Sequence, residues 1–343
     1  MTHYSLANRN SKMSAFGTVF APEMSLARYD QGQWSATEFV SSDSLNLHPG
    51  AHVLHYSSTC FEGLKAFKHE DGSINIFRME QNIARLIQSS ELLSLPPVNA
   101  GQLKLMILDI VKRYAADVPQ PPGSMYIRPT HIGTEASIGK AAAPSSTSLL
   151  YVLLSPVGDY FASGSKPLRL LLADETRCAS HMGMVKSGGN YASALQPILK
   201  ARQSVQADQV LFCPGGDVQE TGAANFLLID GNEIITKSLD SSFLHGITRH
   251  SILTLARDRG MTVSERALSV DELLERAQKP GAEAALSGTA AVLTSVGTLI
   301  HDGKEYTVGD GEAGPITNAL RQALNDIQWG KAADTHGWLT KVC

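Results

Sequence analysis

The sequence predicts two α+β domains joined by a short polar linker. Strand-like and helix-like segments occur in both halves of the chain, without the strict strand–helix–strand alternation of a doubly wound sheet. A stretch rich in Gly, Ser and turn formers, "GDYFASGSKP", interrupts the pattern near the middle. The length, 343 residues with 43% hydrophobic side chains, suffices for two ordinary cores. We therefore expect a small N-terminal domain over 1–158, an interdomain linker over 159–168 and a large C-terminal domain over 169–343.

From Ala51 to Arg78, "AHVLHYSSTCFEGLKAFKHEDGSINIFR" reads as strands broken by a "DG" turn. "MEQNIARLIQSSELLSL" then places Ile83, Leu86, Ile87 and Leu93 on one helical face, and "AGQLKLMILDIVKRYAADV" gives a second amphipathic helix. "SMYIRPTHIG" and "SLLYVLLSPV" are β-branched or apolar and bounded by Gly and Pro, as strands are. Beyond the linker, "LRLLLADETRC", "ADQVLFCPGG" and "ANFLLIDGNEIITK" read as strands. "HGITRHSILTLARDRG" is a helix with Thr248 as N-cap and Gly260 as its C-terminal stop. "SVDELLERAQKPG" is another, ending at Pro-Gly.

The net charge is −4 and the charges are dispersed, so neither a nucleic-acid stripe nor an acidic tail is expected. The longest apolar run, around "SLLYVLLSPV", is far short of the roughly 20 residues a membrane span needs. The N-terminal stretch is polar and lacks the apolar run of a secretory signal. Cys60, Cys178, Cys213 and Cys343 are widely spaced, with no C-x-x-C pair and no zinc pattern. These features point to a reduced, cytoplasmic enzyme without a metal.

Several residues carry chemistry, each beside a plainer reading. Lys186, in "GMVKSGGNYAS", is either a solvated lysine in a glycine loop or a Schiff-base lysine whose small neighbours leave room for a flat ring. Glu220, in "VQETGAANF", is either a hairpin carboxylate in water or a carboxylate held against a pyridine nitrogen. The helix opening at "HGIT" is a generic anion site, because free N–H groups and the positive end of the macrodipole converge there. "SGTAA", Ser287 to Ala291, lines a phosphate or a carboxylate, or is merely a turn. Arg85 falls about 200° around its helix from Ile83, opposite the apolar stripe, so pattern alone leaves it in water. Tyr126 and Arg128 share one face of a strand, either a half-exposed sheet or a pocket wall with a carboxylate-reading guanidinium.

Taken in order, "LHYSSTCFEGLKAF", "YIRPTHIGTEASIG", "VLLSPVGDYF", "KSGGNYASAL", "ETGAANFLLIDG", "LHGITRHSILTLARDRG", "LSGTAAV" and "DIQWG" resemble the branched-chain amino-acid aminotransferases. These are two-domain fold-type IV enzymes that hold pyridoxal 5′-phosphate between the domains. The likeness runs from about Gly17 to Trp338. It implies that Lys186 carries the cofactor covalently and shuttles the substrate Cα proton. It also implies that Glu220 pairs with the pyridine nitrogen and Tyr191 donates to the ring's phenolic oxygen. Arg85, Ile247, Thr248 and Thr289 match the phosphate-holding positions. Tyr126, with the backbone of Thr289 and Ala290, resembles the α-carboxylate site. Arg128 matches the reader of glutamate's side-chain carboxylate, and Tyr56, Phe61 and Tyr160 match apolar walls for a leucine, isoleucine or valine side chain. On this resemblance the glycines around Lys186 keep clearance for the ring, with Asn190 and Tyr191 completing that wall. The implied reaction is ping-pong transamination of branched-chain L-amino acids with 2-oxoglutarate, in a homodimer.

Two features depart from the family. The loop "GTEASIGKAA" carries Lys140 where an aliphatic residue is expected, a cation that points to solvent or shifts preference toward polar substrates. "AAVLT" lacks the C-x-x-C pair of some animal members, so thiol control of that kind is not expected. The alternatives are another fold-type IV enzyme, such as a D-amino-acid aminotransferase or an aminodeoxychorismate lyase, and an aminotransferase with a specialised polar substrate. A non-enzymatic relative would need a broken site, and Lys186, Glu220, Tyr191 and Arg85 are all in place.

Overall fold

A computed structural model describes residues 16–158 and 166–343. The chain forms two compact units: the chain up to Ala162 with Lys186–Gly188 and Ile327–Cys343, and Ser163–Val185 with Gly189–Asp326.

The first unit opens with β1 (Glu23–Asp30), β2 (Gln33–Trp34) and β3 (Glu38–Ser41), followed by one helical turn, α1 (His52–Tyr56). Strands β4 (Thr59–Phe61), β5 (Leu64–Lys68) and β6 (Ile74–Phe77) come next, then helices α2 (Met79–Leu92) and α3 (Ala100–Arg113) and the long strands β7 (Ser124–Gly133) and β8 (Ser148–Val157). The "DG" signal is the β5–β6 turn, where Gly72 takes φ +82°. One face of the sheet is covered by α2 and α3. Ile83 and Leu86 from α2, with Leu103, Met106, Ile107 and Ile110 from α3, are buried with Leu64, Ile76, Ile127 and Leu154 of the strands. The asparagine before α3 caps it, Asn99 accepting from the Gln102 N–H.

"HVLHY" is a helical turn rather than a strand. The His52 ring is hydrogen-bonded to Ser58 and to the carbonyls of Lys140 and Ala143, and these tertiary contacts fix the turn against the local strand pattern.

The second unit contains β9 (Leu168–Ala173), all but the first residue of α4 (Gly188–Val205), β10 (Gln209–Phe212), β11 (Asn225–Asp230), β12 (Glu233–Thr236), α5 (Ile247–Asp258), β13 (Thr262–Glu265), α6 (Val270–Ala277), β14 (Glu283–Gly288), β15 (Val292–His301), β16 (Lys304–Thr307) and all but the last two residues of α7 (Pro315–Gln328). Its sheet runs β10-β9-β15-β14-β11-β12-β13, with β16 on β15. β9 is parallel to both β10 and β15, while β14 is antiparallel to β11 and β15. Phe226, Leu228, Leu273, Leu286 and Leu299 are buried at its core.

Helix α5 starts two residues earlier than its sequence suggests. Gly246 is the N-cap and Thr248 lies inside the first turn, buried. A side chain at 246 is barred because its Cβ would sit 1.9 Å from Asn225 Oδ1. Gly260 does end this helix, at φ +75°.

The chain ends with β17 (Leu339–Lys341), antiparallel to β6, so residues 327–343 group with the first unit rather than with the C-terminal half. No helix among the described residues is long and apolar enough to cross a membrane.

Candidate active site

In the first unit the segment carrying Lys186 is tied to β4 and α2. The Lys186 N–H donates to Ser89 Oγ at 3.2 Å, and its carbonyl accepts from the Phe61 N–H at 3.0 Å. Ser187 bridges Cys60 in antiparallel register. Both backbone polar groups of Lys186 are therefore fixed, and its ammonium stands 5.3 Å from the centre of the Phe61 ring.

Arg85 is buried, contrary to what its helical angle alone suggests. Its Nε and Nη2 donate to Glu62 Oε1 and Oε2 at 2.6 and 2.8 Å, a bidentate pair in which Glu62 is only 1% exposed. The tripeptide Phe61-Glu62-Gly63 thus has three separate roles. Phe61 presents its ring to Lys186 and, at 4.5 Å, to the Arg128 guanidinium. Glu62 holds Arg85. Gly63 gives clearance, because a Cβ there would meet the Tyr126 hydroxyl at 2.0 Å.

Tyr126 and Arg128 lie on one face of β7, and Arg128 Nη2 donates to the Tyr126 hydroxyl at 2.9 Å. With Phe61 they line a cavity of about 380 Å³, lined on other sides by Phe16, Phe20 and residues of β8. Tyr56 is not among its lining residues. Its hydroxyl donates to the Ile138 carbonyl and so anchors the loop between β7 and β8. Lys140 of that loop is paired with Glu135. Glu135 also accepts from the Ser146 N–H and hydroxyl at 2.8 Å each, and together these donors, Lys140 first, pull its carboxyl down to about 2. Tyr160 lies outside the described residues.

In the second unit Glu220 is 3% exposed and clamped from three directions. Arg177 Nη2 lies 2.6 Å from Oε1, the Leu244 N–H donates to the same oxygen at 2.9 Å, and Asn225 Nδ2 donates to Oε2 at 3.1 Å. Asn225 also reaches the Leu244 carbonyl at 2.8 Å, binding the strand to the segment that opens α5. Helix α5 has no side-chain cap, so its first turn, with Ile247 and Thr248, begins without a competing oxygen. Asn225 pairs with Ser287 across β11 and β14, which puts the half-buried Thr289–Ala290 turn at the same end of the sheet. Tyr191 sits in the first turn of α4 beside Asn190. The Asn190 side chain donates to the Met182 and Val185 carbonyls at 2.8 Å each.

The glycines around Lys186 divide. A Cβ on Gly183 would lie 2.0 Å from the Ser242 backbone, so that glycine permits a close approach of the main chain rather than of a ring. Gly188 and Gly189 begin α4.

The structure thus groups Lys186, Arg85, Phe61, Tyr126 and Arg128 in one unit, and Glu220, Tyr191, Ile247, Thr248, Thr289 and Ala290 in the other. Sequence reasoning missed Glu62, Gly63, Ser89, Arg177 and Asn225. The one local signal was "EG" after an aromatic residue, between β4 and β5, where the sequence reads as strand and glycine is otherwise unfavourable.

Comparison with known proteins gives one consistent answer. Residues 59–298 match the family described as amino-transferase class IV. The chain is 38% identical to branched-chain-amino-acid aminotransferase 2 of Bacillus subtilis (strain 168), over 96% of this chain and 92% of that protein. The T.th. branched-chain amino acid aminotransferase with pyridoxamine 5′-phosphate superposes with a TM-score of 0.80 at 26% identity, covering 94% of this chain and 99% of that one. The same protein complexed with N-(5′-phosphopyridoxyl)-L-glutamate superposes with a TM-score of 0.78 at 25% identity, covering 94% and 99%.

Proposed function

Because the chain belongs to the class IV aminotransferases, and within them to the branched-chain-amino-acid aminotransferases, we propose that it moves the amino group of leucine, isoleucine or valine to 2-oxoglutarate, using pyridoxal 5′-phosphate. The products are the branched 2-oxo acid and L-glutamate. The ligands bound by the structural relatives support the cofactor and one of the two substrates.

The residues present fit the cofactor. Glu220 carries the reading: a buried carboxylate held by Arg177, Asn225 and the Leu244 N–H is an anionic acceptor for a ring N–H, and a solvated hairpin carboxylate needs no such clamp. The uncapped start of α5 suits a phosphate, with the Ile247 and Thr248 N–H groups as donors and Arg85 and Thr289 as further holders. Tyr191 would donate to the ring's phenolic oxygen.

When bound, the cofactor supplies an electron-withdrawing ring that lets the substrate Cα proton leave. The chain's own residues do the rest. Lys186 is the attachment point and the base that takes and returns the Cα proton, and its fixed backbone limits where its amine can reach. Tyr126, with the Thr289 and Ala290 N–H groups, would orient the α-carboxylate. Phe61 and Tyr160 would bound the branched side chain, Tyr56 would act through the loop between β7 and β8 that its hydroxyl anchors, and Arg128 would read the distal carboxylate of glutamate. One site then serves both acids in a ping-pong cycle, an apolar pocket with one guanidinium. The enzyme would work as a homodimer in the cytoplasm, which light scattering and cell fractionation check.

Purified protein given L-leucine, 2-oxoglutarate and pyridoxal 5′-phosphate is expected to form glutamate, and Lys186→Ala is not. Glutamate no higher than that control, or activity with D-alanine but not L-leucine, contradicts the reading.

A further inference from the structure

Strands β7 and β8 are antiparallel, with Tyr126 opposite Ser155, Arg128 opposite Leu153 and Thr130 opposite Tyr151. Alternation puts all six on one face of the sheet, and all six line the 380 Å³ cavity. Among the described residues, that face carries the cavity's one charged residue, Arg128, beside four hydroxyl groups, and none of the described lining residues is acidic. The rest of the wall, Phe16, Phe20, Phe61 and Leu154 among it, is apolar. The polar atoms are therefore gathered on the β7–β8 floor.

Two of them lack partners. Ser155 is 3% exposed and its Oγ has no hydrogen-bond partner among the described residues; the Nε of Arg128 is buried in the same condition. The Arg128 Nη2 donates to the Tyr126 hydroxyl, and the Arg128 Cζ lies 4.5 Å from the centre of the Phe61 ring. Buried polar atoms of a folded protein are nearly always paired, and leaving one unmade costs more than a typical hydrogen bond gains. Ser155 and Arg128 are diagonal neighbours across the strand pair, a separation that one small anionic group spans. A carboxylate has two oxygens with lone pairs for both donors.

We propose that Ser155 is a second reader of the distal carboxylate of the dicarboxylic substrate, its hydroxyl donating to one carboxylate oxygen while Arg128 Nε–H donates to the carboxylate from the neighbouring strand. This rests on the reading of the site as one that accepts both glutamate and a branched-chain amino acid. Ser155 is a specificity-determining residue in this scheme and takes no part in proton transfer. A branched alkyl chain in the same cavity gains nothing from the hydroxyl, so the residue acts on one half of the cycle only.

The test uses the holoenzyme and two non-reacting acids, glutarate and 4-methylpentanoate, titrated by calorimetry into wild type, Ser155→Ala and Ser155→Thr. Ser155→Ala is expected to weaken glutarate about tenfold, the low end of what a hydrogen bond to a charged group contributes. It should leave 4-methylpentanoate within about twofold, and Ser155→Thr, which keeps a hydroxyl, should hold glutarate within about threefold of wild type. The KM for 2-oxoglutarate should follow glutarate, with the KM for leucine unmoved. Unchanged glutarate binding in Ser155→Ala, equal weakening of both acids, or a Ser155→Thr as poor as the alanine variant overturns the proposal. A wild type without leucine:2-oxoglutarate turnover overturns the underlying function instead.

Discussion

Each unit buries an arginine–glutamate pair at 2.6 Å, Arg85 with Glu62 in the first and Arg177 with Glu220 in the second. In the first, both carboxylate oxygens go to one guanidinium, with the Gly63 N–H also donating to Oε2 at 3.2 Å, and Glu62 serves as a tether for the arginine. In the second, Arg177 shares Glu220 with Asn225 and a backbone N–H and also donates to the Gly183 carbonyl at 3.1 Å, so here the arginine is the tether. The same ion pair is built twice with its working end reversed. Burying two charges gives little net stability by itself. On the proposed function, each pair would hold one charged group at a fixed point, a cation for a phosphate in the first and an anion for a ring nitrogen in the second.

The comparison is sharpest where the glutamate of each pair, the working end in one and the tether in the other, is altered. Glu220→Gln is expected to lower kcat by about 10²–10³-fold, the scale for losing a preorganised electrostatic partner, with cofactor retention little changed. Glu62→Gln should do the reverse, weakening retention of pyridoxal 5′-phosphate while kcat at saturating cofactor stays near wild type. Dialysis followed by a cofactor titration separates the two, and identical behaviour of both variants breaks the comparison.

Stability comes next. Glu62→Ala leaves the buried Arg85 without its carboxylate and should destabilise the protein by about 3–5 kcal/mol in denaturant titrations.

The first unit also carries an acid-sensitive group near its pair. His131 is fully buried between Ser90 and Ser148, and burial lowers its pKa from 6.5 to about 4. The unfolded chain protonates first as pH falls, so His131 contributes fully above pH 6.5 and its contribution is lost progressively down to about pH 4. The slope should approach 1.4 kcal/mol per pH unit at most, about what one proton accounts for, and His131→Gln should flatten it.

The smallest effect is expected at Lys140. Glu135 already neutralises it within its own loop, so Lys140→Val should change the leucine-to-glutamate preference by less than about twofold. A larger change would mean that this cation acts on the substrate after all.

Legibility in the sequence followed the physics of each region. β7 and β8, and helices α2, α3, α5 and α6, were readable because their apolar periodicity is set by a one-sided core. Helix α4 was not, because it begins with two glycines and contains Pro197, and α1 was not, because its turn is fixed by the distant carbonyls of Lys140 and Ala143. Arg85 illustrates the limit for site residues. Helical angle places it away from the apolar stripe, and its burial depends on Glu62, 23 positions earlier in the chain. Glu220 was readable only as one of two alternatives, since Arg177 and Asn225 meet it through folding rather than through local spacing.

The central claim is that the amine of Lys186 carries pyridoxal 5′-phosphate. Borohydride treatment of the freshly purified protein, proteolysis and mass spectrometry test it directly. The account predicts a phosphopyridoxyl group on the peptide containing Lys186 and on no other. An unmodified Lys186 peptide from protein saturated with the cofactor would contradict it.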